Sequence, residues 1–284
     1  MAKVLGGETK DLGGFSVTRI LPNREKKMVG PFIFLDHFGP ATFPAGKGVN
    51  VRPHPHIGLV TVSYLFEGSI LHRDSLGSVQ EIFPGDVNWM TAGKGIVHSE
   101  RETLEVRNSE HALHGLQCWM ALPETMVDIR PAFEHHKKES LPHIYREGVM
   151  MRVIAGEAFG EISPVHTYWP MFYVDVLAEK DVTLERPYGR SETGIYLISG
   201  SLKVGESTFK AGDFILLEES EEEIRVLDYS HFLFFGGEKF SKVPSIKWNF
   251  VAYEKDRFDE AERQWTNGEF PTVPEDEKEF IPHP

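Results

Sequence analysis

The sequence predicts an all-β protein built from two related domains, with a short helix and an extended tail at its end. Three observations carry this. Short runs rich in Val, Ile, Phe, Tyr and Trp recur between Gly, Pro, Asp and Asn punctuation, as in GPFIFLDHFGP, GLVTVSYLFEG, NWMTAG, MFYVDVLAE, GIYLISGSLKV and SHFLFFGGE. Their length and their β-branched or aromatic content favour strands over helices. One long segment is repeated: LFEGSILHRDSLGSVQEIFPGDVNWM (65–90) aligns with LISGSLKVGESTFKAGDFILL (197–217). Helical spacing is clear only late, in EKDRFDEAERQWTNG (254–268), where Phe258, Ala261 and Trp265 share a face and Gly268 supplies a stop.

In the first copy of the repeat, Gly68-Ser69 precedes a strand and a hairpin, and Pro84-Gly85-Asp86 turns into the next strand. Gly200-Ser201 and Ala211-Gly212-Asp213 do the same in the second copy. Gly200 lies 132 residues after Gly68 and Gly212 lies 127 after Gly85, the difference being a shorter hairpin. A unit of that period is too long for a solenoid or a propeller blade. Two β domains follow, 1–135 and 136–284, joined in the polar stretch EHHKKESLPH (134–143). The closing FPTVPEDEKEFIPHP reads as an extended strap or a loose tail.

Composition narrows the function classes. The chain of 284 residues is 40% hydrophobic and 12% aromatic, enough for a packed core. A net charge of −13 argues against a nucleic-acid surface, which draws on clustered Lys and Arg. MAKVLGGETKDLGG lacks a signal-like apolar stretch, and no apolar run approaches a membrane span. Cys118 is the only cysteine, in the apolar run LHGLQCWMALP, so it reads as a buried, inert thiol in a reducing compartment. A soluble, cytoplasmic protein is expected.

Chemistry concentrates in two short motifs. In RPHPHIGLV (52–60), Pro53 and Pro55 push Arg52 and His54 toward extended backbone. In an extended chain residues i and i+2 point the same way, so His54 and His56 project together. In TAGKGIVHSER (91–101), a Gly93–Gly95 turn leads into His98-Ser99-Glu100, where the same parity pairs His98 with Glu100. Two such pairs on facing strands offer three imidazoles and one carboxylate. That set suits Fe(II), Mn(II), Ni(II) or Zn(II) better than Cu(I) or an iron–sulfur cluster, and it leaves two positions of an octahedral ion open. A capped turn carrying polar surface residues is the competing reading.

HPHIGLVTVSYLFEGSILHRDSLG followed by PGDVNWMTAGKGIVHSE resembles the signature of the pirin family within the cupin superfamily. PFIFLDHFGP (31–40), HGLQCWMALP (114–123) and FFGGE (234–238) extend the likeness over most of the chain, with 240–284 contributing least. The resemblance implies a bicupin of two tandem cupin β-barrel or sandwich domains. It implies one mononuclear iron in the first domain, held by His54, His56, His98 and Glu100. Similar sequences often read HPHRGFET, so Ile57 and Val60 stand where Arg and Glu are common. Their apolar character implies a more apolar wall beside the metal, with Glu100 the only carboxylate ligand.

The repeat offsets carry His54 and His56 onto Arg186 and Tyr188, and His98 and Glu100 onto Arg225 and Leu227. This set makes no metal site, so the second domain is expected to be metal-free and structural. Among the other histidines, His72 reads as a hairpin residue, and His37 has a bland reading, with a place near the metal as its minor alternative. His111 and His114 read as packing or surface residues, and His135 and His136 as exposed. Lys94 is a turn residue. Glu218-Glu219-Ser220-Glu221-Glu222-Glu223 is a solvated acidic loop.

The resemblance implies two functions. One is quercetin 2,3-dioxygenase chemistry, in which a flavonol and O2 meet at the metal, the central ring opens and carbon monoxide leaves. Glu100 would take the flavonol hydroxyl proton, and Phe34, Met90 and Ile96 would hold the flat ring. The other is a non-catalytic redox-sensing regulator whose iron alters the surface offered to a transcription or metabolic partner protein.

Overall fold

The computed structural model describes residues 2–11, 16–187 and 191–284. Strands dominate, and the structure is a bicupin of open sheets, as expected. The chain forms two compact units that are discontinuous in sequence. One comprises residues 1–8, 19–34 and 139–240, the other 9–18, 35–138 and 241–284.

In the unit centred on 35–138, one sheet runs Ala132–His136, Val87–Thr91, Leu59–Glu67, His111–Ala121 and residues 35–43 of the strand Phe32–Phe43 as successive neighbours. A second sheet runs Asn50–His56, Ile96–Arg101, Ile70–Asp74 and Val79–Ile82. The pairings from Ala132–His136 through His111–Ala121, and those of the second sheet, are antiparallel. Val17, Phe38, Phe43, Val49, Leu65, Ile70, Ile82 and Leu113 form an apolar cluster in this unit.

The closing helix spans Lys255–Thr266, and Gly268 follows it at φ +68°. Phe258 and Ala261 bury its inner face against Ile57, Phe250 and Ala252. Beyond it the chain is a strap. The Ile281 amide donates to the Pro53 carbonyl, the Trp265 indole donates to the Ile281 carbonyl, and Arg101 makes two 2.8 Å bonds to Asp276.

In the unit centred on 139–240, the corresponding small sheet runs Thr183–Glu185, Glu223–Val226, Ser201–Val204 and Ser207–Lys210. The repeat read from sequence is visible in the backbone. Gly68 and Gly200 both adopt left-handed conformations, φ +82° and +87°, and in both a Cβ would press on backbone across the turn, at 2.3 Å from the Ala112 oxygen and 2.5 Å from the Tyr229 oxygen. The interior of this unit is filled by Phe172, Val174, Leu202, Ile224, Phe232 and Phe234.

Sheet register corrects half of the offset argument. His72 pairs with Glu100, and Val204, its counterpart 132 residues on, pairs with Ile224. His98 pairs with His54, and the Arg186 amide donates to the Glu222 carbonyl. The counterparts of His98 and Glu100 are therefore Glu222 and Ile224, not Arg225 and Leu227. The offset shortens because the segment before this strand is shorter in the second copy. Tyr188 lies outside the described residues. Arg186 places a guanidinium where the first domain has His54, and it donates to Thr193 Oγ1 at 2.8 Å, the Glu218 carbonyl at 3.2 Å and the Ser191 carbonyl. A fixed cation in that position opposes metal binding.

Candidate metal centre

The two histidine motifs lie on hydrogen-bonded neighbours in one sheet rather than on facing strands. Ile96 pairs with His56 and His98 with His54, and the register then slips, so that Glu100 pairs with Val51. The extra residue falls at Arg52-Pro53, where proline has no amide to offer the ladder. The slip leaves His54, His56 and His98 converging. One ring nitrogen from each lies within 4.8 Å of the others, and all three residues are buried. Ring centroids are 4.4 Å apart for His54–His98 and 4.9 Å for His54–His56.

Hydrogen bonds define the tautomers. His54 Nδ1 lies 2.9 Å from the Arg52 carbonyl and His56 Nδ1 lies 3.0 Å from the Asn249 carbonyl. A carbonyl only accepts, so both rings carry their proton on Nδ1 and present a lone pair at Nε2. His98 Nδ1 faces His72 Nδ1 at 3.5 Å, and its Nε2 lies 3.1 Å from His56 Nε2. Burial lowers the pKa of His54 to about 4 and pushes His56 and His98 well below the usual histidine value. Neutral imidazoles can each turn a ring lone pair toward the point where they meet, and His54 and His56 already present theirs at Nε2. The donor set fits a divalent transition ion.

Glu100 is outside this triad. Its Oε1 lies 2.9 Å from Ser63 Oγ, which is also 2.9 Å from Gln117 Oε1. The hydroxyl has one proton and serves one acceptor at a time. Burial raises the Glu100 pKa, while the hydrogen bond donated by Ser63 and the nearby His72 act to lower it.

Cross-strand register supplies the opposite wall. Thr61 pairs with both Met90 and Trp119, and Met90 with Phe133, so Trp119, Thr61, Met90 and Phe133 form one row. Ser63 pairs with Asn88 and Gln117, and Asn88 with His135, giving a polar second row. The rows face the histidines: Trp119 meets His56 edge-on at 5.1 Å, and Phe133 stacks on His72 at 4.3 Å.

Several expectations change. His72 is no hairpin bystander; it is buried, contacts His98 and bonds Asp74 Oδ2 at 2.9 Å. Met90 does belong to the wall. Ile96 is buried on the His98 side of its strand, whereas Phe34 belongs to the other compact unit. Ile57 and Val60 do not make the wall more apolar. Ile57 packs into the cluster with Phe250 and Phe258, and Val60 alternates with Thr61, on the opposite face of its strand. His37 and His114 pair with each other, Nε2 to Nε2 at 2.7 Å, and His135 is partly buried against Asn88. Cys118 is fully buried. Among the described residues no helix is long and apolar enough to cross a membrane.

Comparison with known proteins places these features. The pirin family model matches residues 14–120, and the model of the pirin C-terminal cupin domain matches 173–271. A pirin-like protein of Caulobacter vibrioides is 44% identical over 285 residues, covering 99% of this chain and 98% of that protein. A Pseudomonas aeruginosa protein provisionally named quercetin 2,3-dioxygenase is 38% identical over 260 residues, covering 90% and 81%. The crystal structure of quercetin 2,3-dioxygenase from Acinetobacter baumannii superimposes with a TM-score of 0.92 at 36% identity, covering 100% of this chain and 95% of that one.

Proposed function

We propose, since the chain belongs to the pirin family and brings three neutral imidazoles to one point, that it is a mononuclear-metal dioxygenase that opens a flavonol ring with O2. The observation that carries this reading is the convergence of His54, His56 and His98 through Nε2, with Nδ1 of two rings tied to backbone carbonyls. These three with Glu100 would hold the ion, Fe(II) first, with Mn(II), Ni(II) or Zn(II) able to take its place. Bound there, the ion supplies Lewis acidity toward a substrate oxygen and redox chemistry toward O2. The similarity to proteins named quercetin dioxygenases supports the substrate class.

The chain's own residues do the remaining work. The row of Trp119, Thr61, Met90 and Phe133 offers a largely apolar wall on which a flat aromatic can lie. Glu100 takes the proton of the flavonol hydroxyl. It does so when free of the ion, where burial makes it a stronger base than an ordinary carboxylate and Ser63 holds it in place. Aerobic incubation of the purified protein with quercetin should consume the flavonol and release carbon monoxide in equal amounts. Metal-replete protein that leaves quercetin intact contradicts the proposal.

A further inference from the structure

We propose that Asp74 and His72 act as a positioning pair that sets the tautomer of His98, keeping the proton off the nitrogen that faces the other two imidazoles; this rests on the metal reading above. The strand Ile70–Asp74 lies beside Ile96–Arg101, with Asp74 opposite His98 and His72 opposite Glu100. Like HPH and HSE, the H-x-D of residues 72–74 puts two functional side chains on one side of an extended chain. All three motifs meet in one sheet.

The direction of each hydrogen bond follows from Asp74. Its side chain has no exposure. Its Oδ1 accepts from the amides of Leu76 at 2.9 Å and Ser78 at 3.1 Å, and its Oδ2 lies 2.9 Å from His72 Nε2. Burial alone would push this carboxyl up, but the hydrogen bonds from His72 and Ser78 hold it below its ordinary value. Asp74 therefore stays an acceptor and draws the His72 proton to Nε2. His72 Nδ1 then carries a lone pair, and it faces His98 Nδ1 at 3.5 Å. His98 must donate from Nδ1, which leaves its Nε2 free. The Phe133 ring, stacked on His72 at 10° between planes, fixes the plane in which this contact is made.

The arrangement singles out His98. His54 and His56 are oriented by backbone carbonyls, which have only one role to play. His98 is oriented by an imidazole, which can accept or donate according to its own tautomer. An imidazole in that position sets its neighbour reliably only when a third group sets it in turn. Such partners typically contribute roughly 10- to 100-fold in metal affinity.

The test uses Asp74→Asn, whose remaining oxygen still serves the turn amides while its NH2 group meets His72 Nε2. His72 then moves its proton to Nδ1 and donates to His98, whose proton shifts to Nε2. The wrong tautomer results, by the same logic as an Asp→Asn change in a catalytic triad. Long-range 15N–1H spectra of histidine-labelled apoprotein should show His98 as the Nδ1–H form in wild type and the Nε2–H form in Asp74→Asn. Chelator competition should show zinc affinity reduced by roughly 10- to 100-fold in the variant, with unchanged thermal unfolding. His72→Phe, which keeps an aromatic ring against Phe133 and removes the acceptor, should lose affinity to a similar degree. An Nε2–H His98 in wild type overturns the pairing, as does wild-type zinc affinity in both variants. If wild type itself binds no zinc, the metal reading fails, and the tautomer spectra still decide the role of Asp74.

Discussion

His56→Ala should strip the protein of metal and end its turnover. His56 sits at the centre of the constellation: its Nε2 is 3.1 Å from His98 Nε2, its ring is in contact with that of His54, and its Nδ1 is held by the Asn249 carbonyl. Deleting it leaves two imidazoles and a carboxylate that is already engaged with Ser63. A complete four-ligand protein site is worth about 10–16 kcal/mol for zinc, so one ligand accounts for ~3 kcal/mol, or roughly a 100-fold loss of affinity. Dialysis should then remove the ion from the variant and not from wild type. Metal content by mass spectrometry, with circular dichroism to confirm the fold, checks this. A folded His56→Ala protein that keeps both metal and turnover would refute the three-imidazole site.

Glu100→Gln should separate binding from catalysis. Glutamine keeps the size and an oxygen that can accept from Ser63 and serve the ion, but cannot take a proton; unlike His56→Ala, the variant therefore keeps a fourth donor beside the three imidazoles. The expected result is a loss of about 10²–10⁴ in kcat with metal still bound. The pH profile carries a second signature. A base works when deprotonated, so wild-type kcat should climb as pH rises through the pKa of Glu100 in the loaded site; burial raises that pKa and a bound cation opposes the rise. That rising limb should disappear in the variant. Unchanged kcat would remove Glu100 from the mechanism, and loss of the metal would make it a ligand only.

Much of this site was legible in the sequence because strand parity is a local rule. HPH and HSE each declare a shared face within three residues, and prolines on either side of His54 reinforce the extended backbone. The two Gly-Ser turns and the helix at 254–268 were equally local, the helix being observed as Lys255–Thr266. What escaped was non-local. His72 and Asp74 carry the same parity signal as the other two motifs, but nothing in the linear sequence says that their strand lies beside His98. The carbonyl that orients His56 belongs to Asn249, 193 residues away, and a backbone oxygen leaves no mark in residue type. Trp119 and Gln117 were read only as part of an apolar strand, since their place opposite Thr61 and Ser63 depends on register. Register also explains why Ile57 and Val60 have no part in the wall, although they are immediate neighbours of the histidines and of Thr61.

The metal content of wild-type protein, purified without added metal or chelator, tests the central claim most directly. Convergent, neutral, buried imidazoles at His54, His56 and His98 predict close to one transition-metal ion per chain. Folded protein with less than a tenth of an ion per chain, and unable to take up Fe(II) or Zn(II) when offered, would contradict it.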